Sequence, residues 1–389
     1  MGLRVLHLID SGGLYGAERM LLTLAEEQVR QGLDPIILSA GEPGIEDKAI
    51  EAEARRLGLP VIPWRMRPGL NLRAAREIIQ WAVRKNIQIF HSHGYKFNVL
   101  IGAWPKTWRG GISLVTTLHG YVKAPPWTRI ALYEFLDRIA LRNVDCLVPV
   151  AENTRQSLPS SIAQSRRCIL VPNGIEKRAP QPSRLPMQVN EFLCRHEVAF
   201  AVVGRFSREK GLDSLILSVA RSNGRLAHVG FVLIGDGPLR PELQAQIVDA
   251  GLERQFLMPG YFSNVPAMLP HFDGLLMPSR TEGFPITMLE ALRARLPIIA
   301  TAVGSLPSVL GGVPSARLIQ APVNPDELIA AIEEFVTHRP DDAALDQGVE
   351  RFEKSYTAER MAASYLEVYQ QFRHGRRQNP RSPCVGGAA

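Results

Sequence analysis

The amino-acid sequence predicts an α/β chain built as two Rossmann-like halves facing each other across a cleft. Short, almost wholly apolar runs such as Val198–Val203 and Val229–Ile234 recur along it, the pattern of parallel strands covered on both faces. Amphipathic segments at helical spacing separate these runs, so strand and helix alternate from end to end. One stretch breaks the alternation. Lys177–Pro186 holds three prolines and few packing residues, and reads as a linker between the halves.

The first half is expected over residues 1–178, with strands at Arg4–Asp10, Pro35–Ser39, Ile89–His91, Ser113–Leu118 and Asp145–Val150. Helices are expected at Tyr15–Gln31, Glu46–Leu57, Leu72–Lys85 and Thr128–Arg142. In the third of these Leu72, Ala75, Ile79, Ala82 and Val83 share one side. The linker is placed at residues 179–196 and the second half at 197–357. That half offers strands at Val198–Val203, Val229–Ile234, Phe256–Met258, Gly274–Met277 and Pro297–Ala300. Its helices are expected at Gly211–Asn223, Pro241–Ala250 and Asp326–Thr337. A terminal helix follows at residues 358–373, and residues 374–389, rich in Arg, Gly and Pro, read as a disordered tail.

With 389 residues, 46% apolar and 21% charged, the composition is that of a soluble globular protein large enough for two cores. No run of about 18 apolar residues suggests a membrane span. The start, Met1-Gly-Leu-Arg-Val-Leu-His-Leu-Ile9, enters a strand directly and lacks the features of a signal peptide. Cys146, Cys168, Cys194 and Cys384 are scattered, which fits a reducing cytoplasm and argues against a zinc site. Charge is uneven: residues 1–185 carry 25 basic and 16 acidic side chains, and residues 186–389 carry 20 and 22. The basic half suits an anionic partner such as a lipid headgroup, a membrane surface or an acidic glycan. Nucleic acid is not expected, because the basic residues form no single helix and no recognition motif is present.

Two glutamates carry the strongest functional signal. Glu282 and Glu290 lie in Ser-Arg-Thr-Glu-Gly-Phe-Pro-Ile-Thr-Met-Leu-Glu-Ala-Leu, residues 279–292, after the apolar strand Gly274–Met277. Glu282 falls in the strand-to-helix turn and Glu290 about two turns into the helix, so the spacing lets both carboxylates face one cleft. Ligands of open α/β sheets bind at that end of the strands. Carboxylates accept hydrogen bonds and suit a ligand rich in hydroxyls, such as a sugar or a ribose. The plain alternative is a pair of surface glutamates on an amphipathic helix.

Glycine-flanked loops follow other strands. Ser11-Gly-Gly-Leu-Tyr-Gly-Ala-Glu-Arg19 places Gly12 and Gly13 where backbone N–H groups can approach a ligand. It is not a Gly-x-Gly-x-x-Gly fingerprint, and no acid ends the second strand, so a dinucleotide dehydrogenase is disfavoured. Val203-Gly-Arg-Phe-Ser-Arg-Glu-Lys-Gly-Leu212 offers Arg205 and Lys210 as cations for a diphosphate, whose charge grows as its bond to a sugar breaks. Ile234-Gly-Asp-Gly-Pro238 lets Gly235 and Gly237 come close to a nucleotide, with Asp236 read as a turn residue. Thr117-Leu-His-Gly120 ends a strand and aims His119 at the cleft. His91 and His93 share a strand face and raise the question of a metal, but no third ligand is evident.

Together these segments, with Pro172-Asn-Gly-Ile175, resemble retaining glycosyltransferase family 4, of GT-B fold, over residues 3–372 and in the family's order. The resemblance implies that Arg205 and Lys210 hold the donor diphosphate and Glu290 the ribose hydroxyls. It places Glu282, with the Gly283 and Phe284 backbone, at the donor sugar, and His119 near the reacting carbon. It assigns Gly12 and Gly13 to the loop lining the cleft and lets the last helix cross back to the first domain. It implies a UDP- or GDP-sugar donor, a glycan or lipid-linked acceptor in cell-surface polysaccharide assembly, and retained anomeric configuration. No Asp-x-Asp motif follows a strand, so no metal or other cofactor is expected, Arg205 and Lys210 serving in its place.

The acceptor is expected on the first domain. Tyr121–Tyr133 and Trp104-Pro-Lys-Thr-Trp-Arg109 mix aromatic, cationic and aliphatic residues as interfacial elements do, which suggests peripheral contact with the anionic inner face of the cytoplasmic membrane. Two other readings stand beside the transferase: a sugar-nucleotide epimerase of the same architecture, and a non-catalytic nucleotide-sugar binding protein.

Overall fold

The computed structural model describes residues 2–10, 12–120 and 129–373. Twelve strands form two parallel sheets. The first contains β1 (Arg4–Ile9), β2 (Asp34–Gly41), β3 (Val61–Arg65), β4 (Ile89–Ser92), β5 (Ser113–Leu118) and β6 (Cys146–Pro149), in the order β3-β2-β1-β4-β5-β6. The second contains β7 (Val198–Val203), β8 (Val229–Ile234), β9 (Phe256–Gly260), β10 (Gly274–Met277), β11 (Ile298–Thr301) and β12 (Ala316–Ile319), in the order β12-β11-β10-β7-β8-β9. Both are doubly wound, and their order reverses beside β1 and β7, which opens a crevice at the strand ends. The fully buried runs of β5 and β8 show why these sequences lack alternation, since helices cover both faces.

The predicted strands and helices are present, with ends shifted by a few residues. The differences have physical causes. β3 and β12 had no predicted counterpart; both are edge strands, β3 with an internal proline and β12 with two of its four residues half-buried and one exposed. The helix Leu72–Arg84 buries Ala74, Ala75, Ile78, Ile79 and Ala82, while Leu72 and Val83 are exposed. The linker is shorter than residues 179–196, because Met187–Leu193 is a helix that buries Val189 and Phe192 against β8 and β9. The helices Tyr95–Gly102 and Asp342–Ser355 were also not predicted.

The terminal helix Ala358–Arg373 does cross back. It buries Met361, Ala362, Tyr365, Val368 and Tyr369, a stripe at helical spacing, against helix α1 (Gly16–Arg30) and β5. The chain therefore passes between the halves twice, and the two passages are tied together. Ile175 and Thr357 form a parallel bridge, in which Ile175 N–H donates to the Tyr356 carbonyl at 3.1 Å and Ala358 N–H to the Ile175 carbonyl at 2.8 Å. Only glycine fits beside it, since a Cβ on Gly174 would lie 2.3 Å from the Thr357 carbonyl oxygen.

The segment Trp104–Arg109 turns its cations inward. Lys106 and Arg109 both pair with Asp145, at 2.8 and 3.2 Å, because Arg109 is buried and needs a counter-charge. Trp108 stays exposed. Most of the Tyr121–Tyr133 segment, and the 374–389 tail, lie outside the described residues. Among the described residues no helix is long and apolar enough to cross a membrane.

Candidate active site

A cavity of about 1110 Å³ lies between the two sheets. The second sheet contributes Arg205 and Lys210 from the loop after β7, Gly235 and Gly237 from the turn after β8, and Glu282, Gly283, Phe284 and Glu290 from the turn and helix after β10. The first contributes Tyr15, Arg19, His119 and Gly120. The expected site residues thus converge on one cavity, apart from Gly12 and Gly13. The wall begins at Leu14, and those two glycines precede it in the same loop.

The two glutamates do not converge through helical period. The helix begins at Ile286, so Glu290 sits about one turn in, and Glu282 comes from the loop before it. Glu282 is held by Lys210, whose Nζ lies 2.6 Å from Oε1, and by Ser279 Oγ, which donates to the same oxygen at 2.7 Å. Lys210 is therefore an ion-pair partner as well as a cation facing the cavity. Glu290 is buried, and desolvation raises its pKa above the ordinary carboxylate value, opposed by the charges of Arg19 and Arg293. Asp236 is the turn residue expected: its Oδ1 accepts from Gly237 N–H at 2.8 Å.

The halves touch across this cavity. A Cβ on Gly283 would stand 2.2 Å from the His119 carbonyl oxygen, so glycine there lets the turn after β10 meet the end of β5. The guanidinium of Arg205 lies 5.7 Å from the centre of the Tyr15 ring. Asn173 Nδ2 donates to the Phe284 carbonyl at 3.1 Å and fixes the same turn from the first half. Asn173 lines the cavity but was not read as a site residue, although it stood in the Pro-Asn-Gly-Ile segment. Tyr15, Arg19 and Ser279 were missed as well.

His119 lies at the cavity wall with its Nε2 unpartnered among the described residues, and burial lowers its pKa to about 4, so the ring is neutral at pH 7. Behind it lies a third histidine that sequence reasoning did not find. His7, His91 and His93 are all buried with ligand atoms within 4.8 Å of one another. Apart from His93 Nδ1, which has no partner among the described residues, their nitrogens are engaged in a chain of hydrogen bonds. His7 Nε2 donates to Gln28 Oε1 at 2.8 Å, so its Nδ1 accepts from His93 Nε2 at 3.0 Å. Gln28 Nε2 donates to the Tyr369 hydroxyl at 3.1 Å, which donates to His91 Nδ1 at 2.6 Å. His91 Nε2 then donates to Thr117 Oγ1 at 2.7 Å, which pairs with Tyr365 at 2.7 Å. The network pins the crossing helix to β1, β4 and β5.

Comparison with known proteins agrees with this architecture. Residues 15–178 match the family model described as Glycosyltransferase Family 4, and residues 195–351 that of Glycosyl transferases group 1. Over 206 residues the chain is 29% identical to the 2-deoxystreptamine glucosyltransferase of Streptomyces kanamyceticus, a match spanning 51% of this chain and about half (52%) of that relative. It is 22% identical to the alpha-D-kanosaminyltransferase of the same organism over 90% of this chain and 99% of that one. The crystal structure of Anabaena HepE in complex with UDP has the same fold, with a TM-score of 0.78 at 18% identity over 95% of this chain and 100% of that one. With both family models matched in order on two doubly wound domains, the chain belongs to the family-4 glycosyltransferases of GT-B fold.

Proposed function

We propose that this protein transfers a sugar from a UDP- or GDP-sugar to a glycan or lipid-linked acceptor in cell-surface polysaccharide assembly, with retained anomeric configuration and without a metal ion. The observation that carries the reading is the convergence of Arg205, Lys210, Glu282 and Glu290 from one sheet on His119 from the other. A solved structure of the same fold, HepE, holds UDP.

The residues divide the work by chemistry. Arg205 offers a planar fork to the diphosphate oxygens, and Lys210 a compact charge that opposes the negative charge growing on the leaving group. The ion pair to Glu282 fixes that ammonium in place before the donor arrives. Glu282 faces the sugar hydroxyls and Glu290 those of the ribose. Neutral His119 hydrogen-bonds the sugar near the reacting carbon without adding charge.

A thermal-shift panel of UDP, GDP, ADP and their sugars, followed by nucleotide release for any hit, tests the reading. One diphosphate stabilising the protein, with slow hydrolysis of one of its sugars, is the expected result. No shift with any of them would overturn it.

A further inference from the structure

The ribose side of the proposed donor site is not built from the second domain alone. Glu290 projects from the helix Ile286–Arg293, but a cation reaches it from the opposite sheet. Arg19, in the first turns of α1, brings Nη1 to 3.9 Å from Glu290 Oε1. Its Nη2 donates to the Ser263 carbonyl in the loop after β9, so both ends of the guanidinium rest on the second domain. Arg293, on Glu290's own helix, is committed elsewhere, donating to the Glu176 carbonyl at 2.7 Å. Arg19 also lines the cavity, with Tyr15 four residues before it on the same face of the helix start. Tyr15 meets Arg205 and Arg19 meets Glu290. The beginning of α1 therefore addresses both proposed nucleotide anchors at once, one at the diphosphate and one at the ribose.

We infer that Arg19 is a positioning residue for the ribose of the nucleotide, supplied by the first domain: it orients the Glu290 carboxylate and completes the donor site from across the cleft. The inference rests on the donor reading given above. A buried carboxylate accepts two ribose hydroxyls well only if it is held in one orientation and kept charged. Arg19 does both, and it does so only while the halves are together, so nucleotide affinity depends on closure of the cleft.

Calorimetric titration separates this role from a structural one. Whichever of UDP and GDP binds the wild-type protein is compared with its 2′,3′-dideoxy form, which lacks the hydroxyls that Glu290 would hold. The proteins are wild type, Arg19→Met, Arg19→Lys, Glu290→Gln and the double variant Arg19→Met/Glu290→Gln. We expect Arg19→Met to weaken the ribonucleotide about tenfold, a change worth about 1.4 kcal/mol, and to leave the dideoxynucleotide unchanged. Arg19→Lys should recover most of that loss, and Arg19→Met should cost nothing further when Glu290 is already Gln. Equal weakening of both nucleotides, an additive loss in the double variant, or no loss at all would overturn the assignment while leaving the donor reading intact. Wild-type protein that binds neither ribonucleotide overturns the donor reading and this assignment with it.

Discussion

Lys210 faces the cavity and also balances Glu282, whose side chain is only 8% exposed. In the proposed reaction Lys210→Ala removes a stabiliser of the leaving group, and it also strands a buried carboxylate. The expected loss in kcat/KM is about 2–4 kcal/mol, or about 30- to 1000-fold, measured by steady-state kinetics. Gly283→Ala tests the contact between the halves. Its Cβ would collide with the His119 carbonyl, so turnover should fall while the circular dichroism spectrum stays native; wild-type turnover would show that the contact is dispensable. Arg205, Lys210 and Glu282 were legible in the sequence because each follows an apolar strand in a glycine-marked loop, and Glu290 because it lies in the helix that such a loop opens. Arg19 and Tyr15 were not. Arg19 is separated from Ser263 by 244 positions, and no local pattern reports a contact that only the closing of two domains creates.

At the level of elements, the crossing helix depends on its two buried tyrosines. Tyr369→Phe keeps the ring but leaves His91 Nδ1 and Gln28 Nε2 without the hydroxyl they share. Unmet buried groups of this kind cost about 1–3 kcal/mol, so a lower Tm is expected in thermal melts. An unchanged Tm would mean that the network contributes no net stability. The central strands were readable because burial on both faces leaves a continuous apolar run, as in Val229–Ile234. Edge strands such as Ala316–Ile319 mix exposure with burial and lose that signature. The helix Met187–Leu193 was hidden by the prolines ahead of it, although proline commonly precedes a helix.

For the molecule as a whole, the buried histidines predict acid sensitivity. Burial lowers the pKa of His7 and of His119 from 6.5 to about 4, and those of His91 and His93 fall well below 6.5. The unfolded chain binds protons at these rings below pH 6.5 and the folded chain does not. The stability they contribute is complete above that value and is lost as pH falls toward about 4. Each histidine that titrates only on unfolding adds about 1.4 kcal/mol per pH unit to the slope. Melts between pH 7.5 and 4.5 should show a steadily falling Tm; a flat profile would mean that the folded protein protonates these rings freely. In the same protein, turnover should survive EDTA. Complete loss restored by Mg²⁺ or Mn²⁺ would show that the cations of the cleft do not suffice.

The bridge between Ile175 and Thr357 has a mechanical meaning. Two chain passages bound side by side act as the spine of a book. The covers can turn about the spine, but neither can swivel independently without breaking the binding. One cut in residues 177–186 severs one cord and leaves the other intact. A protease-nicked molecule should therefore still elute as a single particle from a gel-filtration column and come apart only in denaturant.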